Sequence, residues 1–165
     1  AVRGLVSAET MDAVARNFHG VEHRIERIRV RRGVRWYNDS IASSPSRTIA
    51  GLRSFTEKVI LIAGGKDKGI SYDAIGPEIN EHVKYLILCG ATAGVIRESV
   101  QKAANYAGLP IREVQDYHEA VALADEVSGE GDVVILSPAS TSFDRFANFM
   151  ERGRVFKDIV NALPE

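Results

Sequence analysis

Lysines and small hydroxyl side chains follow two apolar runs of the sequence, and these residue types are well suited to binding an anion. The stretch "GGKDKG" at 64–69 follows "KVILIA", and "SPASTSFD" at 137–144 follows "DVVIL". Ammonium groups, hydroxyls and exposed backbone amides all donate hydrogen bonds to carboxylates and phosphates. The first stretch is not a P-loop, because no Gly-Lys-Ser/Thr sequence opens the following helix. The pattern leaves a second interpretation open, in which the glycines only form a tight strand-to-helix turn.

Two further segments carry groups that suit a nucleotide. The segment "HRIERIRVRRGVR" contains six arginines, and one guanidinium group can hold a phosphate through two parallel hydrogen bonds. On a strand pair, however, most of these arginines are expected on a solvated face. In "YNDSIASSPS", Asp39 stands at a strand end, where it can accept hydrogen bonds from ribose. Ser43 or Ser44 could equally be an ordinary helix cap before Pro45. The histidines show no metal-ligand spacing, so no metal site is predicted.

The elements that must position these groups follow from hydrophobic periodicity. Strands without polar faces are predicted at "KVILIAGG", "YLILCG" and "DVVILSP", and a less apolar edge strand at "IREVQD". A helix is predicted after each, and the last of these is expected to start at Ser142 with Phe146 and Phe149 on one face. The fold class is therefore α/β, a doubly wound, Rossmann-like, mainly parallel sheet with helices on both faces.

A basic β-hairpin with its turn at Arg32-Gly33 precedes this sheet, and it either docks on the sheet or extends it. Ligands of open α/β sheets bind outside the carboxyl ends of the strands. The stretches 64–69 and 137–144 both lie at such ends, so we expect them at one functional edge.

Composition excludes several classes of protein. The 165 residues carry a net charge of −1, so no overall field attracts nucleic acid or a membrane surface. The single cysteine excludes an internal disulfide and suits a reducing compartment. With no apolar run of membrane-spanning length and no signal peptide, a cytoplasmic protein is expected. We expect it to be a monomer. The chain starts without Met inside a helical pattern, which predicts a piece of a longer protein.

Three motifs in order resemble the C-terminal part of the Mur ligase family. They are "GVEHRIERI", "WYNDSIASSPSRTIAGL" and "LSPASTSFDRFANFMERGRVF", and the last is similar to the members that add D-glutamate. The resemblance implies that residues 21–165 are the third, Rossmann-like domain of a three-domain enzyme. Residues 1–20 would be a linker or a remnant of the central ATPase domain. The catalytic residues and most Mg2+ ligands would lie in that central domain, so this fragment alone is expected to be inactive.

The reaction that the resemblance implies is ATP-dependent formation of an amide bond in the synthesis of peptidoglycan. The carboxylate of UDP-N-acetylmuramoyl-L-alanine becomes an acyl phosphate, which the amine of D-glutamate attacks. Such chemistry depends on positioning and on stabilising charge at phosphate. The resemblance thus implies ATP, Mg2+ and D-glutamate as ligands.

The family's binding residues carry over one by one. Arg24 falls on the arginine of a His-Arg-x-Glu motif that contacts ATP, and Asp39 on the aspartate that meets the nucleotide. Ser43 takes the place of a threonine that faces the D-glutamate pocket. Lys68 matches the lysine that holds a carboxylate of D-glutamate, and Lys66 replaces it if the loop register shifts. Three residues of the last motif complete that pocket: Ser142, Phe143 and Phe149.

One position departs from the family pattern, which has a lysine where this chain has Ile41. No charge can be carried to that position, and anchoring would depend more on Lys68, or on Arg47 one turn further along. Two other functions stay open. The chain could belong to another amino-acid-adding ligase, such as a different Mur ligase or a folylpolyglutamate synthetase, or it could be a non-catalytic α/β binding module.

Overall fold

The computed structural model of the chain describes residues 6–17 and 20–165. Helices and strands alternate along most of this length, as the periodicity predicts. Their bounds are α1 (Ala8–Asn17), β1 (Glu26–Arg31), β2 (Val34–Asn38), α2 (Pro45–Leu52), β3 (Val59–Ala63), α3 (Ile75–His82), β4 (Val83–Cys89), α4 (Ala93–Lys102), β5 (Ile111–Val114), α5 (Tyr117–Val127), β6 (Val133–Leu136) and α6 (Phe149–Ala162).

The strands of the described residues form one sheet of six, in the order β1-β2-β6-β3-β4-β5. Only β1 and β2 are antiparallel to each other, and every other neighbouring pair is parallel. The chain passes from β2 to β3 and leaves between them the place that β6 fills last. From β3 the chain crosses to β4 on one side, whereas after β6 it continues into α6, which packs against β1 and β2 on the other side. The carboxyl ends of β3 and β6 therefore mark the switch point of the sheet, where ligands of open α/β sheets bind.

Helices cover both faces of the sheet, which confirms the doubly wound prediction. On one face α2, α3 and α4 bury a cluster of aliphatic side chains against β3 and β4. On the other face α5 and α6 enclose Trp36 and Phe156, both fully buried. Because β3 and β6 lie in the middle of the sheet, every one of their residues is buried, which explains their uninterrupted apolar sequences.

The basic hairpin extends the sheet, because β2 pairs directly with β6. Its register shifts between Arg27 and Arg29, as at a β-bulge. Two of its arginines do not lie on a solvated face. Arg31 is buried and pairs with Asp125 of α5, and Arg29 donates to three carbonyl oxygens at the carboxyl end of α6. These contacts hold the hairpin against the helical layer.

The turn after β3 requires glycine at two successive positions. Gly64 and Gly65 have φ values of +114° and +153°, and any side chain there would meet backbone atoms of the neighbouring strand ends. A Cβ atom on Gly64 would overlap the carbonyl group of Cys89, and one on Gly65 would overlap that of Thr141. The glycines thus let three strand ends approach one another closely.

The start of the last helix differs from the sequence prediction. α6 begins at Phe149 and not at Ser142, and Asn148 caps it by accepting a hydrogen bond from the Glu151 amide at 2.9 Å. Glu151 in turn accepts from the Ala147 amide at 2.7 Å, a reciprocal capping arrangement. Phe146 therefore lies outside the helix, where its ring stacks on Tyr117 with centroids 5.7 Å apart.

The amino-terminal segment buries little in the described residues. α1 has no buried side chain, and Met11 and Val14 on it are exposed. The segment 1–20 of the sequence prediction lies partly outside the description, since residues 1–5, 18 and 19 are not described. Among the described helices, none combines the length and the apolar character needed to cross a membrane.

The packing of α3 against α4 gives a test with a matched control. A methyl group on Gly76 of α3 would overlap the carbonyl oxygen of Ser99 in α4, whereas one on Gly94 of α4 would meet no atom within 4 Å. We expect Gly76→Ala to lower the unfolding free energy by about 1–3 kcal/mol through overpacking. We expect Gly94→Ala to raise it by about 0.5–1 kcal/mol, because alanine restricts the unfolded chain.

Urea unfolding followed by far-UV circular dichroism measures both changes. Equal stabilities of Gly76→Ala and Gly94→Ala would contradict the close approach of the two helices.

Candidate functional site

A cavity of about 330 Å³ opens beside the end of β2, and it contains both residues predicted to bind the nucleotide. Arg24 is exposed at its rim and Asp39 is buried in its wall. The remaining lining comes from the loop after β2 and from α2: Ile25, Ile41, Ala42, Arg47, Ala50, Gly51 and Ser54. The cavity thus offers two guanidinium groups and one carboxylate around a partly apolar space.

Asp39 is a buried carboxyl group with few partners. Its Oδ2 accepts from the Ser137 hydroxyl at 2.8 Å and its Oδ1 from the Ile25 amide at 3.3 Å. Burial raises the pKa of Asp39 to about 6, although Ser137, the Ile25 amide and the two arginines all act to lower it. Gly51 keeps α2 close, because a Cβ atom there would lie 3.0 Å from Asp39 Oδ2.

Arg24 stands in a turn whose backbone is strained on both sides. His23 and Ile25 have φ values of 64° and 46°, a conformation that a β-branched residue such as isoleucine rarely adopts. Hydrogen bonds from the His23 amide to Glu26 (2.9 Å) and from the Ile41 amide to the His23 carbonyl (3.2 Å) hold the turn. Such strain persists only where surrounding contacts fix it, and here it aims Arg24 at the cavity.

The departure at Ile41 is accompanied by a nearby cation. Ile41 lines the cavity, and Arg47 Nη1 donates to its backbone carbonyl at 3.2 Å. The guanidinium group of Arg47 therefore lies beside the position where the family pattern has a lysine.

The lysines predicted to bind a carboxylate stand in the loop after β3. Lys66 and Lys68 are both exposed, but their backbones differ. Lys66 exchanges two backbone hydrogen bonds with Thr141 of the loop after β6, at 2.9 and 3.1 Å. Lys68 lies between Asp67 and Gly69, which close a short turn through a 2.9 Å bond from the Gly69 amide to Asp67 Oδ1. The pairing brings the two anion-suited stretches together, as their shared edge predicts.

The loop after β6 carries the hydroxyl residues that the sequence singles out. Ser142 is buried, and its carbonyl oxygen accepts from the amides of Arg145 and Phe146. It therefore opens a turn seven residues before α6, so the prediction that this helix starts at Ser142 is wrong. Phe143 in the same turn is 63% exposed.

Two further residues of the predicted D-glutamate pocket lie nearer the end of β2. Ser43 is half-buried in the loop between β2 and α2. Phe149 opens α6, its ring meets His23 edge-on at 6.1 Å, and its carbonyl oxygen accepts from the Ser40 hydroxyl at 2.7 Å. The 330 Å³ cavity includes none of the residues predicted for D-glutamate.

Arg152 is the main residue of the site that sequence reasoning missed. It is 1% exposed, and its guanidinium group donates to Ser40 Oγ (3.0 Å), Ser40 O (2.8 Å) and Ser140 O (3.0 Å). These bonds join the loop after β2 to the loop after β6. The cap sequence Asn148-Phe-Met-Glu151 was a usable signal for the start of the helix that carries it.

The structure also gathers a group of acidic and imidazole ligands that spacing did not indicate. Glu22, His23 and Glu26 place ligand atoms within 4.8 Å of one another. Glu26 already accepts from Lys157 Nζ at 2.6 Å and from the side-chain Nδ2 of Asn38 at 3.1 Å. The group is therefore explained as an ion-pair network that ties β1 to α6.

Comparison with known proteins identifies relatives over nearly the whole chain. The family described as "Mur ligase, glutamate ligase domain" matches residues 23–140. The chain is 54% identical to UDP-N-acetylmuramoylalanine–D-glutamate ligase of Acetivibrio thermocellus over 99% of its length. It is 55% identical to the ligase of the same name from Symbiobacterium thermophilum over 91% of its length. It spans only 36% and 32% of these relatives.

Solved structures share the fold at low sequence identity. The bifunctional folylpolyglutamate synthase/dihydrofolate synthase of Yersinia pestis CO92 aligns with a TM-score of 0.64 and 17% identity, over 93% of this chain and 34% of that one. The murein peptide ligase mpl of Psychrobacter arcticus aligns with a TM-score of 0.60 and 14% identity, over 97% and 34%. These likenesses concern the fold alone.

The burial of Asp39 predicts a pH-dependent stability. An acid whose pKa is higher in the folded than in the unfolded protein favours folding while it is protonated, and this contribution is lost as it ionises. Burial raises the pKa of Asp39 from its ordinary value of 3.8 to about 6. As the pH rises through this interval, the wild type should therefore lose about 3 kcal/mol of unfolding free energy relative to Asp39→Asn. The loss should begin near pH 4 and be complete above pH 6.

Urea titrations at a series of pH values, followed by the fluorescence of the single tryptophan, Trp36, measure the difference. Parallel pH profiles of the wild type and Asp39→Asn would show that the carboxyl group keeps an ordinary pKa.

Proposed function

The chain belongs to the Mur ligase family, and we propose that it is the C-terminal domain of an ATP-dependent ligase that adds D-glutamate to UDP-N-acetylmuramoyl-L-alanine. The observation that carries the proposal is the cavity in which Arg24 and Asp39 face the same space. The choice of D-glutamate as the amino acid and of UDP-N-acetylmuramoyl-L-alanine as the acceptor follows from the names of the two relatives. On this proposal residues 21–165 are the domain, residues 1–20 belong to the preceding one, and the enzyme is a cytoplasmic monomer.

The cavity beside β2 suits part of ATP. Arg24 and Arg47 can donate to phosphate oxygens, and Asp39, once ionised, can accept from a ribose hydroxyl. The apolar side chains of Ile25 and Ile41 offer a surface for a flat, uncharged group in the same space. The arrangement therefore supports binding of the nucleotide by residues of this chain.

The second ligand, D-glutamate, has the charges that the adjoining loops can meet. We assign one carboxylate to Lys68 and the Ser142 hydroxyl, since the loops that carry them are joined through Lys66 and Thr141. Ser43, Phe143 and Phe149 would complete the pocket. Phosphoryl transfer and attack by the amine need reactants held in register, and such positioning is what this chain would contribute.

Mg2+ does not fit this chain by itself. A magnesium ion needs close to octahedral coordination by oxygen atoms, whereas the cavity beside β2 offers one carboxylate flanked by two arginines. The ligands of such an ion would have to come from other parts of the enzyme or from the phosphates of ATP.

Replacement of the two loop lysines tests the proposal. In the full-length enzyme, Lys68→Ala should raise the KM for D-glutamate by about tenfold to a hundredfold, the range expected when a charged hydrogen-bond donor is lost. Lys66→Ala is the matched control in the same loop and should change this KM little. Steady-state kinetics with D-glutamate as the varied substrate gives both values.

Three outcomes would overturn these assignments. An unchanged KM in Lys68→Ala together with a raised KM in Lys66→Ala would move the anchor to Lys66. Incorporation of L-glutamate, L-lysine or diaminopimelate in place of D-glutamate would make the enzyme a different amino-acid-adding ligase. Amide formation by the pure 165-residue chain, which we expect to be inactive, would contradict its role as one domain of a larger ligase.

A further inference from the structure

A chain of three buried hydroxyl groups lies beneath the glycine turn that follows β3. We propose that Tyr72, Thr92 and Ser140 are positioning residues, whose linked hydroxyls hold this turn so that Lys68 is aimed at the carboxylate of the incoming amino acid. The proposal rests on the function proposed above for Lys68, and it adds residues that contact no substrate themselves.

The three hydroxyls form a continuous hydrogen-bonded series. Tyr72 Oη lies 2.9 Å from Ser140 Oγ, and Ser140 Oγ lies 2.7 Å from Thr92 Oγ1. The side chains are buried, with 3%, 1% and 1% exposure for Tyr72, Ser140 and Thr92. Burial also raises the pKa of Tyr72, so the phenol keeps the proton that such a series requires. Hydroxyl groups shielded from water are retained only with partners, and here they partner one another.

The series ends on the glycine turn itself. Thr92 Oγ1 accepts the amide hydrogen of Gly65 at 3.0 Å, and the Thr92 amide donates back to the Gly65 carbonyl at 3.0 Å. Since Gly65 has a φ of +153°, its own conformational preference does not fix the turn. The hydroxyl of Thr92 therefore supplies the restraint that a glycine lacks.

Both neighbours of Gly65 are held from the other side. The Gly64 amide donates to the Pro138 carbonyl at 2.8 Å, and Lys66 pairs with Thr141. Pro138 and Thr141 flank Ser140, the middle member of the hydroxyl series. The loop after β6 therefore binds the glycine turn through backbone hydrogen bonds. It also contacts the turn indirectly, because the Ser140 hydroxyl bonds to Thr92, which in turn bonds to Gly65.

This geometry connects the two groups assigned to the substrate carboxylate. Lys68 follows the clamped residues 64–66 by two positions, and Ser142 follows Ser140 by two positions. A shift of the hydroxyl series would move the lysine and the serine relative to each other, whereas Arg24 and Asp39 lie in a separate cavity. Loss of the series should thus impair binding of the amino acid and spare that of ATP.

The test uses variants that remove one hydroxyl each. Thr92→Val keeps the shape of the side chain and deprives the Gly65 amide of its acceptor, and Tyr72→Phe keeps the buried ring. In the full-length enzyme we expect the KM for D-glutamate to rise about tenfold in Thr92→Val and about threefold in Tyr72→Phe, as for the loss of one hydrogen bond. The kcat and the KM for ATP should stay within about twofold of the wild type.

Two controls separate positioning from a general loss of stability. Thr92→Ser retains the hydroxyl, so its KM for D-glutamate should equal that of the wild type. Val133→Ala removes buried methyl groups at the opposite end of β6, so it should lower the unfolding temperature without changing that KM.

A second readout does not depend on catalysis. Amide hydrogen exchange of Gly65, measured by NMR relative to the amide of Leu61 within β3, should be about tenfold faster in Thr92→Val than in the wild type or in Thr92→Ser. Unchanged exchange at Gly65 would overturn the restraint. Faster exchange at Gly65 together with an equal rise of the KM for D-glutamate and the KM for ATP would overturn the claim that the hydroxyls serve binding of the amino acid specifically. A wild-type enzyme that does not incorporate D-glutamate would refute both the proposed function and the role of Lys68. Hydrogen exchange of the Gly65 amide would still decide whether the hydroxyls hold the turn.

Discussion

The hydrogen bonds of the buried Arg152 guanidinium group hold together the loops at the carboxyl ends of the strands. A charge that is 1% exposed is tolerated only if its donors find acceptors, because desolvation of an ion is otherwise prohibitive. Arg152 meets this condition with the Ser40 carbonyl, the Ser40 hydroxyl and the Ser140 carbonyl. Ser40 and Ser140 belong to loops that leave different strands. Both loops must therefore approach α6, and the hydrogen bonds to Arg152 fix the distance between them.

Ser140 is where this constraint meets the second one. Its carbonyl oxygen accepts from Arg152, and its hydroxyl continues into the series with Tyr72 and Thr92. Through the first contact it is tied to the loop that carries Asp39, and through the second to the glycine turn that leads to Lys68. Ser140 thus connects the wall of the cavity beside β2 to the loop that carries Lys68. The cavity beside β2 and the turn before Lys68 are therefore held in a fixed relative position although they share no lining residue.

Sequence reasoning succeeded where the signal is local and failed where it depends on distant partners. The apolar runs of β3 and β6 indicated buried parallel strands, and the two residues that the resemblance assigns to the nucleotide, Arg24 and Asp39, line one cavity. The start of α6 was missed because the apolar periodicity through Phe146 outweighed the cap sequence at Asn148. The burial of Arg152 could not be foreseen, since its partner Ser40 lies 112 positions away and arginines are rarely buried.

The family pattern that the sequence resembles has a lysine where this chain has Ile41, and Arg47 brings a cation to the same cavity. Asp39 is held by its bonds to Ser137 and to the Ile25 amide, and the charges of Arg24 and Arg47 act to lower its pKa against the effect of burial. Arg47 reaches the same space from the first turn of α2, with Nη1 on the Ile41 carbonyl. The guanidinium group is longer and binds phosphate bidentately, which a lysine cannot do. Arg24 and Arg47 therefore place two cations around one buried carboxylate, with no charge at position 41.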